Sequence, residues 1–511
     1  MVRTKGREQS GGAGGRAAEG VTRMAESVTT PVLWCAVRDK HVRKVKRLLD
    51  APPGSAAAAS FNINETGGVD ECTSLHCAVL VKDLGMIRLL LAYPGIDLNV
   101  PNRVGESVLF GCVAVCHHVD DIAIIKNLVQ HGACIDATCG SGDTLMHAAA
   151  FEGNRTALQA FMDLGLSVME HNKFYDTPLH HTTDFDTVVW LVDAGASGSA
   201  PNDSGDTALH YAVDHGTESI RVVEFLLARG ADVNVKNING FTPLHLALNL
   251  DMVRFLLDSG SYVNAQTNNG DTILHRMICG DEDLELISLV LASGADVNAK
   301  NITGCTPLYF AKDIPMFSIL LDAGACVNAQ ANNGNTVLHR VVYGKEDFIL
   351  FDLLFEWGVD VNIKNDQGET ALHCACDPEY TPQVVRVLLN AGAQCNVRNN
   401  DGYTPLHKAC YNGMEHSAVT FLQWGVDASE RTNTGLTPAD LAMLGHHDDL
   451  AAAMNMEVER TERLIAFGMA GQQRLGADSA AGGLFRVKEV FRMIGDAGFL
   501  GANMADMVIE L

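Results

Sequence analysis

No run of about 18 apolar residues occurs in this chain of 511 residues, which argues against a membrane-spanning helix. The most apolar stretch, 348–361, is broken by Asp352, Glu356 and Asp360. The first twenty residues, MVRTKGREQSGGAGGRAAEG, are polar and Gly-rich and lack the apolar core of a secretory signal. Positive charge is scarce: 37 Lys and Arg face 62 Asp and Glu, for a net charge of −25. Residues 1–29 carry five basic and three acidic groups, and residues 30–50 six and two, so the remainder holds −31. Such an acidic body repels phosphate backbones and anionic lipid, which excludes nucleic acid and membrane surfaces as expected partners.

Chemistry is also missing from the motifs. There is no phosphate-cradling Gly-x-x-x-x-Gly-Lys, and the GGAGG of the N-terminal arm has no strand before it or helix after it. No Gly-x-Ser-x-Gly elbow occurs. Fourteen cysteines are scattered singly, the usage of a reduced protein in the cytoplasm or nucleus. The best metal candidate is CVAVCHH, with Cys112, Cys116, His117 and His118, followed by Cys134 and Cys139. Its spacing does not match paired zinc ligands, and cysteine replaces alanine easily in a helical core. The expectation is therefore a non-enzyme without cofactor or metal.

What the chain has in abundance is a repeat. A four-residue core begins at Pro31, Thr73, Ser107, Thr144, Thr177, Thr207, Thr242, Thr272, Thr306, Thr336, Thr370, Thr404 and Thr437, mostly 30 to 37 residues apart. An apolar helical pattern follows each core, then an ending such as LLARGADVN or VLASGADVN. Thr before a helix offers its oxygen to free N–H groups of the first turn, and Pro fits the first helical position. Gly after the second helix, as at Gly230, Gly260 and Gly294, suits a left-handed terminus. Asn239-Gly240 and Asn269-Gly270 are hairpin signals. Each unit thus reads as turn, helix, short loop, helix, hairpin. No unit can bury its apolar face alone, so neighbours must stack.

The period and the Thr-Pro-Leu-His core resemble the ankyrin repeat over roughly residues 30–443. The fold implied is all-α, a solenoid of about thirteen helix pairs with β-hairpin loops. Nine copies carry a core histidine: His76, His147, His180, His210, His245, His275, His339, His373 and His407. The remaining copies have Trp34, Phe110, Tyr309 and Asp440 at that place. A catalytic or metal role would not accept Trp, Phe and Tyr, whereas packing and hydrogen bonding would. The resemblance implies that this histidine ties its own threonine to backbone of the adjacent unit.

Resemblance also directs attention to the hairpin tips and inner helix face as binding surface. The partner-binding candidates are Ile238, Asn239, Phe241, Asn269, Asp271, Thr303, Cys305, Asn333, Asn335, Gln367, Glu369, Asp401 and Tyr403. Phe241 and Tyr403 are expected to be exposed aromatic anchors; many of the Asn residues are ordinary turn formers. By the same resemblance, Asn234, Asn298 and Asn362 match asparagines that an oxygen-sensing hydroxylase modifies.

Copies starting at Thr177, Thr242 and Thr306 are four or five residues shorter than their neighbours, a superperiod of 64 or 65 residues. About one helical turn is at stake, so longer copies should project at loops 280–283, 344–347 and 377–381; these acidic loops read first as solvated surface, with an acidic comb for a basic partner as the alternative. Residues 1–29 read as a disordered Gly-rich arm, 51–71 as a loop insertion and 444–511 as a helical tail that caps the stack or docks a second partner. In that tail Leu484, Val487, Phe491 and Ile494 share one helical face. The reading is a monomeric, non-catalytic scaffold or adaptor for other proteins. Two alternatives are a ubiquitin-ligase substrate adaptor whose tail docks the ligase, and a metal protein built on Cys112 and Cys116.

Overall fold

A computed structural model describes residues 32–51, 62–213, 219–280, 283–343, 348–377 and 382–474. The N-terminal arm, most of the comb loops and the proposed docking face at 484–494 lie outside the described residues. Contacts divide the chain into one compact unit ending at Asn268 and another beginning at Asn269.

Each unit is a stack of antiparallel helix pairs, seven in the first and six in the second. Within a pair the first helix follows the core threonine, whose extended backbone (φ −96°, ψ 165° at Thr242) places it outside the helix. Pro243, Pro307, Pro405 and Pro438 occupy the first turn, where a missing N–H costs nothing. The second helix has its own cap. Asp83, Asn154, Asp184 and Asp313 each accept the N–H of a residue three positions on. These caps hold together helices of eight to ten residues that would be marginal alone.

The core is the seam between pairs. Leu209, Leu244, Leu274 and Leu308, two residues after each threonine, are 1% exposed or less, and Val223, Leu226, Val253 and Leu256 of second helices in the first unit are buried as well. At about 1.5–3 kcal/mol per buried side chain, this stacking is the main stabilising term.

Length alternation is visible in the first helices. The short copies have Pro178–His181, Pro243–Leu246 and Pro307–Phe310, four residues each, where long copies have Leu145–Phe151 or Ile273–Cys279 with seven. Second helices keep their length: Phe185–Asp193, Leu250–Asp258 and Leu284–Ala292 all have nine. The first helix is not shortened uniformly, for the long copy at Thr370 also has only four residues, Ala371–Cys374; the difference lies in the first helix and the connection to the second taken together.

Two boundaries differ from expectation. Part of the expected insertion is a hairpin: Thr66–Gly67 pairs antiparallel with Cys72–Thr73, leading straight into a core threonine. At the other end, the unit beginning at Thr437 finds its second helix in Asp448–Arg474. Leu450, Ala451 and Met454 are buried, and this helix packs on Pro438–Leu444. The stack thus runs past residue 443 into the expected tail.

Candidate functional site

The inner edge of each stack is set by the histidines. At Thr177 the backbone N–H donates to His180 Nδ1 at 3.0 Å, and the hydroxyl lies 2.9 Å from the same atom. The same clamp joins Thr73 to His76, Thr144 to His147, Thr207 to His210, Thr242 to His245, Thr272 to His275, Thr336 to His339, Thr370 to His373 and Thr404 to His407. Because Nδ1 accepts, the proton resides on Nε2, an assignment that follows from the network. Nε2–H then donates to the next repeat: His147 to Asp176 O at 2.7 Å, His275 to Cys305 O at 3.1 Å, His339 to Glu369 O at 3.1 Å and His373 to Tyr403 O at 3.1 Å. Burial holds these rings neutral, lowering His76, His147 and His373 to about 4. In eight of the nine rings both nitrogens are engaged, Nδ1 by threonine and Nε2 by a backbone carbonyl, which is a structural role.

Copies without histidine show what the ring does. Phe110 offers no acceptor, and the Ser107 hydroxyl, among the described residues, is buried without a partner. Tyr309 places a half-buried phenol there.

The tips are joined by backbone. Asn268 N–H donates to Asn239 O, Ile302 N–H to Asn269 O, Asn332 N–H to Thr303 O, Asp366 N–H to Asn333 O and Asn400 N–H to Gln367 O, all between 2.8 and 3.0 Å. In several hairpins an asparagine adds a second tie. Asn301 Oδ1 accepts from Thr303 and Cys305 N–H, and its Nδ2 donates to Asp271 at 2.9 Å. Asn365 does the same with Gln367, Glu369 and Asn335, and Asn399 with Asp401, Tyr403 and Glu369. Asn234, Asn298 and Asn362 bridge further out: Asn298 donates to Gly324 O at 3.0 Å and accepts from Cys326 N–H at 2.7 Å.

The candidates therefore separate into three groups. Ile238, Asn239, Asn269, Thr303, Asn333, Gln367 and Asp401 are exposed on tips, although the Thr303 hydroxyl donates to Asn301 Oδ1 and Asn333 Oδ1 accepts from Asn335 N–H. Asp271, Asn335 and Glu369 are partly buried acceptors of the asparagine ties. Phe241 and Tyr403 are half-buried rather than exposed, each edge-on to its own repeat's ring, His245 and His407, at 5.9 and 6.1 Å. Cys305 is buried at 7% exposure, so its thiol is out of reach of a partner; only its carbonyl matters, as the acceptor for His275.

One buried polar cluster stands out in the first unit. Asp176 is fully buried and accepts from Asn202 Nδ2 at 2.7 Å, while His181 Nε2 lies 3.5 Å from Asp176 and 3.7 Å from Asp143. The amide nitrogen of Asn172 occupies the space a cation would need, 2.7 Å from Asp143 and 3.4 Å from both Asp176 and His181. Cys112 and Cys116 are buried along one helix face while His117 and His118 are exposed. Among the described residues no group of three His, Cys, Asp or Glu is arranged to hold a metal.

Sequence reasoning named the inner helix face but none of its residues. They sit four positions after the core threonine: His181 and Tyr211 in the first unit, Arg276, Phe310, Arg340 and Lys408 in the second. Counting from each threonine would have found them.

Comparison with known proteins agrees with this geometry. The chain is 31% identical to the B-cell lymphoma 3 protein homolog of Mus musculus over 33% of its length and 41% of that protein's. It is 31% identical to SH3 and multiple ankyrin repeat domains protein 2 of Homo sapiens, over 30% of this chain and 8% of that protein. It is 30% identical to the nuclear factor NF-kappa-B p105 subunit of Gallus gallus, over 42% and 21%. It thus spans less than half the length of each of these relatives. A single ankyrin repeat matches residues 70–103, and ankyrin repeats in overlapping threes match from 145 through 457. These matches follow the Thr–His clamps and tip ladders over more than half of the sequence: the chain belongs to the ankyrin repeat family.

Proposed function

We propose that this protein is a non-catalytic scaffold or adaptor that binds other proteins through its exposed hairpin tips and inner helix faces. The observation that carries the reading is the tip ladder. Its backbone bonds fix tips from successive repeats in register while Asn269, Thr303, Asn333, Gln367 and Asp401 stay exposed. A surface ordered before binding loses little conformational freedom on association. About 800 Å² per partner, the usual scale of a specific interface, lies within reach of a few repeats. One relative, the nuclear factor NF-kappa-B p105 subunit, is by its name part of an assembly, which supports an interaction role. The fourteen free cysteines suit a reducing compartment, the cytoplasm or nucleus, and none of the described helices is long and apolar enough to cross a membrane.

The test is site-specific photo-crosslinking of the full chain in its native cells. A photoreactive residue at Gln367, on a tip, is compared with one at Arg386, on a second helix. Protein adducts concentrated at the tip support the reading; adducts at Arg386 and none at Gln367 refute it.

A further inference from the structure

In the unit beginning at Asn269, the first helices Ile273–Cys279, Pro307–Phe310 and Val337–Val342 pack side by side. Three cations, Arg276, Lys312 and Arg340, stand on these consecutive repeats, and each acts electrostatically on the Cys279 thiol. Two of them reach one repeat back. Lys312 Nζ donates to Cys279 O at 2.7 Å and to Gly280 O at 3.3 Å. Arg340 Nη1 donates to Ala311 O at 2.7 Å. Each cation thus sits at the carbonyl end of the preceding first helix, where acceptors are left over and the helix dipole is negative.

That capping role leaves most of Arg340's charge and four of its five N–H groups uncommitted. The groups facing its guanidinium are the Tyr309 phenol and the thiols of Cys279 and Cys305, with no carboxylate among them. Among the described residues it forms no ion pair. Lys408, two repeats on, shows the contrasting case, with Glu369 at 2.8 Å. Among the described residues this half-buried cation has only neutral groups around it, an environment that an anion would complete. Between the cations lies a half-buried aromatic floor: Phe310 is edge-on to Tyr309 at 5.8 Å and to His275 at 6.1 Å.

We propose that this face, Arg276, Lys312 and Arg340 around Phe310, binds an extended acidic segment of a partner protein. The proposal rests on the interaction reading above and specifies the chemistry of one of its surfaces. Guanidinium groups pair with carboxylates through two parallel bonds, which favours Glu and Asp over a diffuse negative field. Packed helices lie about 8–10 Å apart, and an extended chain advances about 3.3 Å per residue. One contact per repeat therefore falls on every third residue. The segment reads acidic-x-x-apolar-x-x-acidic, its central side chain on Phe310.

The experiment uses the full chain and a fluorescent peptide with Glu on each side of Phe at that spacing, against counterparts carrying Lys or Gln. The chain's overall charge of −25 repels the Glu peptide, so its selective binding cannot come from the general field. Anisotropy is expected to show tighter binding of the Glu peptide than of either counterpart, weakening as salt rises. Arg340→Gln is expected to weaken it about tenfold, and Arg340→Lys less. Circular dichroism reports folding, and Lys312→Gln, at an exposed position, gives the same reading should Arg340→Gln unfold. Equal binding of Glu and Lys peptides, or unchanged affinity in the folded charge variants, overturns the proposal. If tip crosslinks persist in that case, the scaffold reading survives; if they are absent as well, both fall.

Discussion

Asp440 holds Thr437 as histidine holds threonine in nine earlier repeats. Thr437 N–H donates to Asp440 Oδ2 at 2.9 Å, the Thr437 hydroxyl donates to the same oxygen at 2.8 Å, and Asp440 N–H donates back to Thr437 Oγ1 at 3.2 Å. Histidine does this and also reaches the next hairpin through Nε2. After Thr437 comes the helix Asp448–Arg474 in place of another hairpin, so no carbonyl awaits a donor and the shorter side chain suffices. Asp440→Ala is expected to destabilise the folded chain by about 1 kcal/mol, the usual worth of a cap. Asp440→Asn keeps an acceptor for the Thr437 N–H and should lose less. Urea denaturation of both variants at neutral pH measures the difference.

The clamps also set a pH dependence. Burial lowers His76, His147 and His373 to about 4, and His180, His210, His275, His339 and His407 in the same direction. The unfolded chain takes up these protons near pH 6.5. A folded value below the unfolded one means the contribution is complete above pH 6.5 and is lost as pH falls toward 4. Many rings share this sign, so the urea midpoint is expected to fall steeply between pH 6.5 and 4.5. His373→Phe, borrowing the side chain of the Ser107 copy, should cost about 1–3 kcal/mol at pH 7 by stranding Thr370 and should flatten the slope. A midpoint independent of pH over this range would count against the neutral clamp.

The Thr-x-x-His spacing was enough to read the helix starts, and the tolerance of Phe110 and Tyr309 was enough to read the histidines as architecture. Other features depend on partners a repeat apart and could not be read locally. Cys305 looked like a tip residue because it precedes Thr306, but the ties of its hairpin to Asn301 and His275 turn it inward. Phe241 and Tyr403 looked exposed for the same reason, yet each finds a ring of its own repeat. Arg340 carries no mark in the sequence, because its partner, Ala311 O, lies one repeat back. That the helix after residue 447 packs on the last unit was not legible either, because it lacks the Leu-Leu ending that marks the other second helices.

Ser107 offers a test by subtraction. Its hydroxyl is buried and unpartnered among the described residues, since Phe110 stands where a ring nitrogen would be. Removing an unsatisfied group relieves its desolvation cost, so Ser107→Ala is expected to leave stability unchanged or raise it by up to about 1 kcal/mol. Thr144→Ala, one repeat on, removes a hydroxyl bonded to His147 at 2.8 Å and should lower stability by about 1–2 kcal/mol. Thermal or urea unfolding of the pair gives opposite signs if the clamp is what makes the core threonine valuable.

The tip ladder makes a similar contrast between two glycines of one repeat. Gly324 ends a second helix at φ +90°, and a Cβ there would meet nothing within 4 Å. Gly334 sits at the tip at φ +77°, where a Cβ would lie 2.6 Å from the Asp366 backbone nitrogen and 2.7 Å from Asn365 Cα. Alanine at Gly324 bears only the left-handed backbone cost, about 1–2 kcal/mol. At Gly334 the same cost is joined by a collision with backbone that cannot rotate aside, and the Asp366 N–H bond to Asn333 O must lengthen from 3.0 Å. Gly334→Ala is therefore expected to be the more destabilising by at least about 1 kcal/mol. Hydrogen exchange should show faster exchange at the Asp366 amide in that variant and little change there in Gly324→Ala. Equal exchange in the two variants would mean that the tips are not held by their backbone ladder, and the ordered binding edge would lose its physical basis.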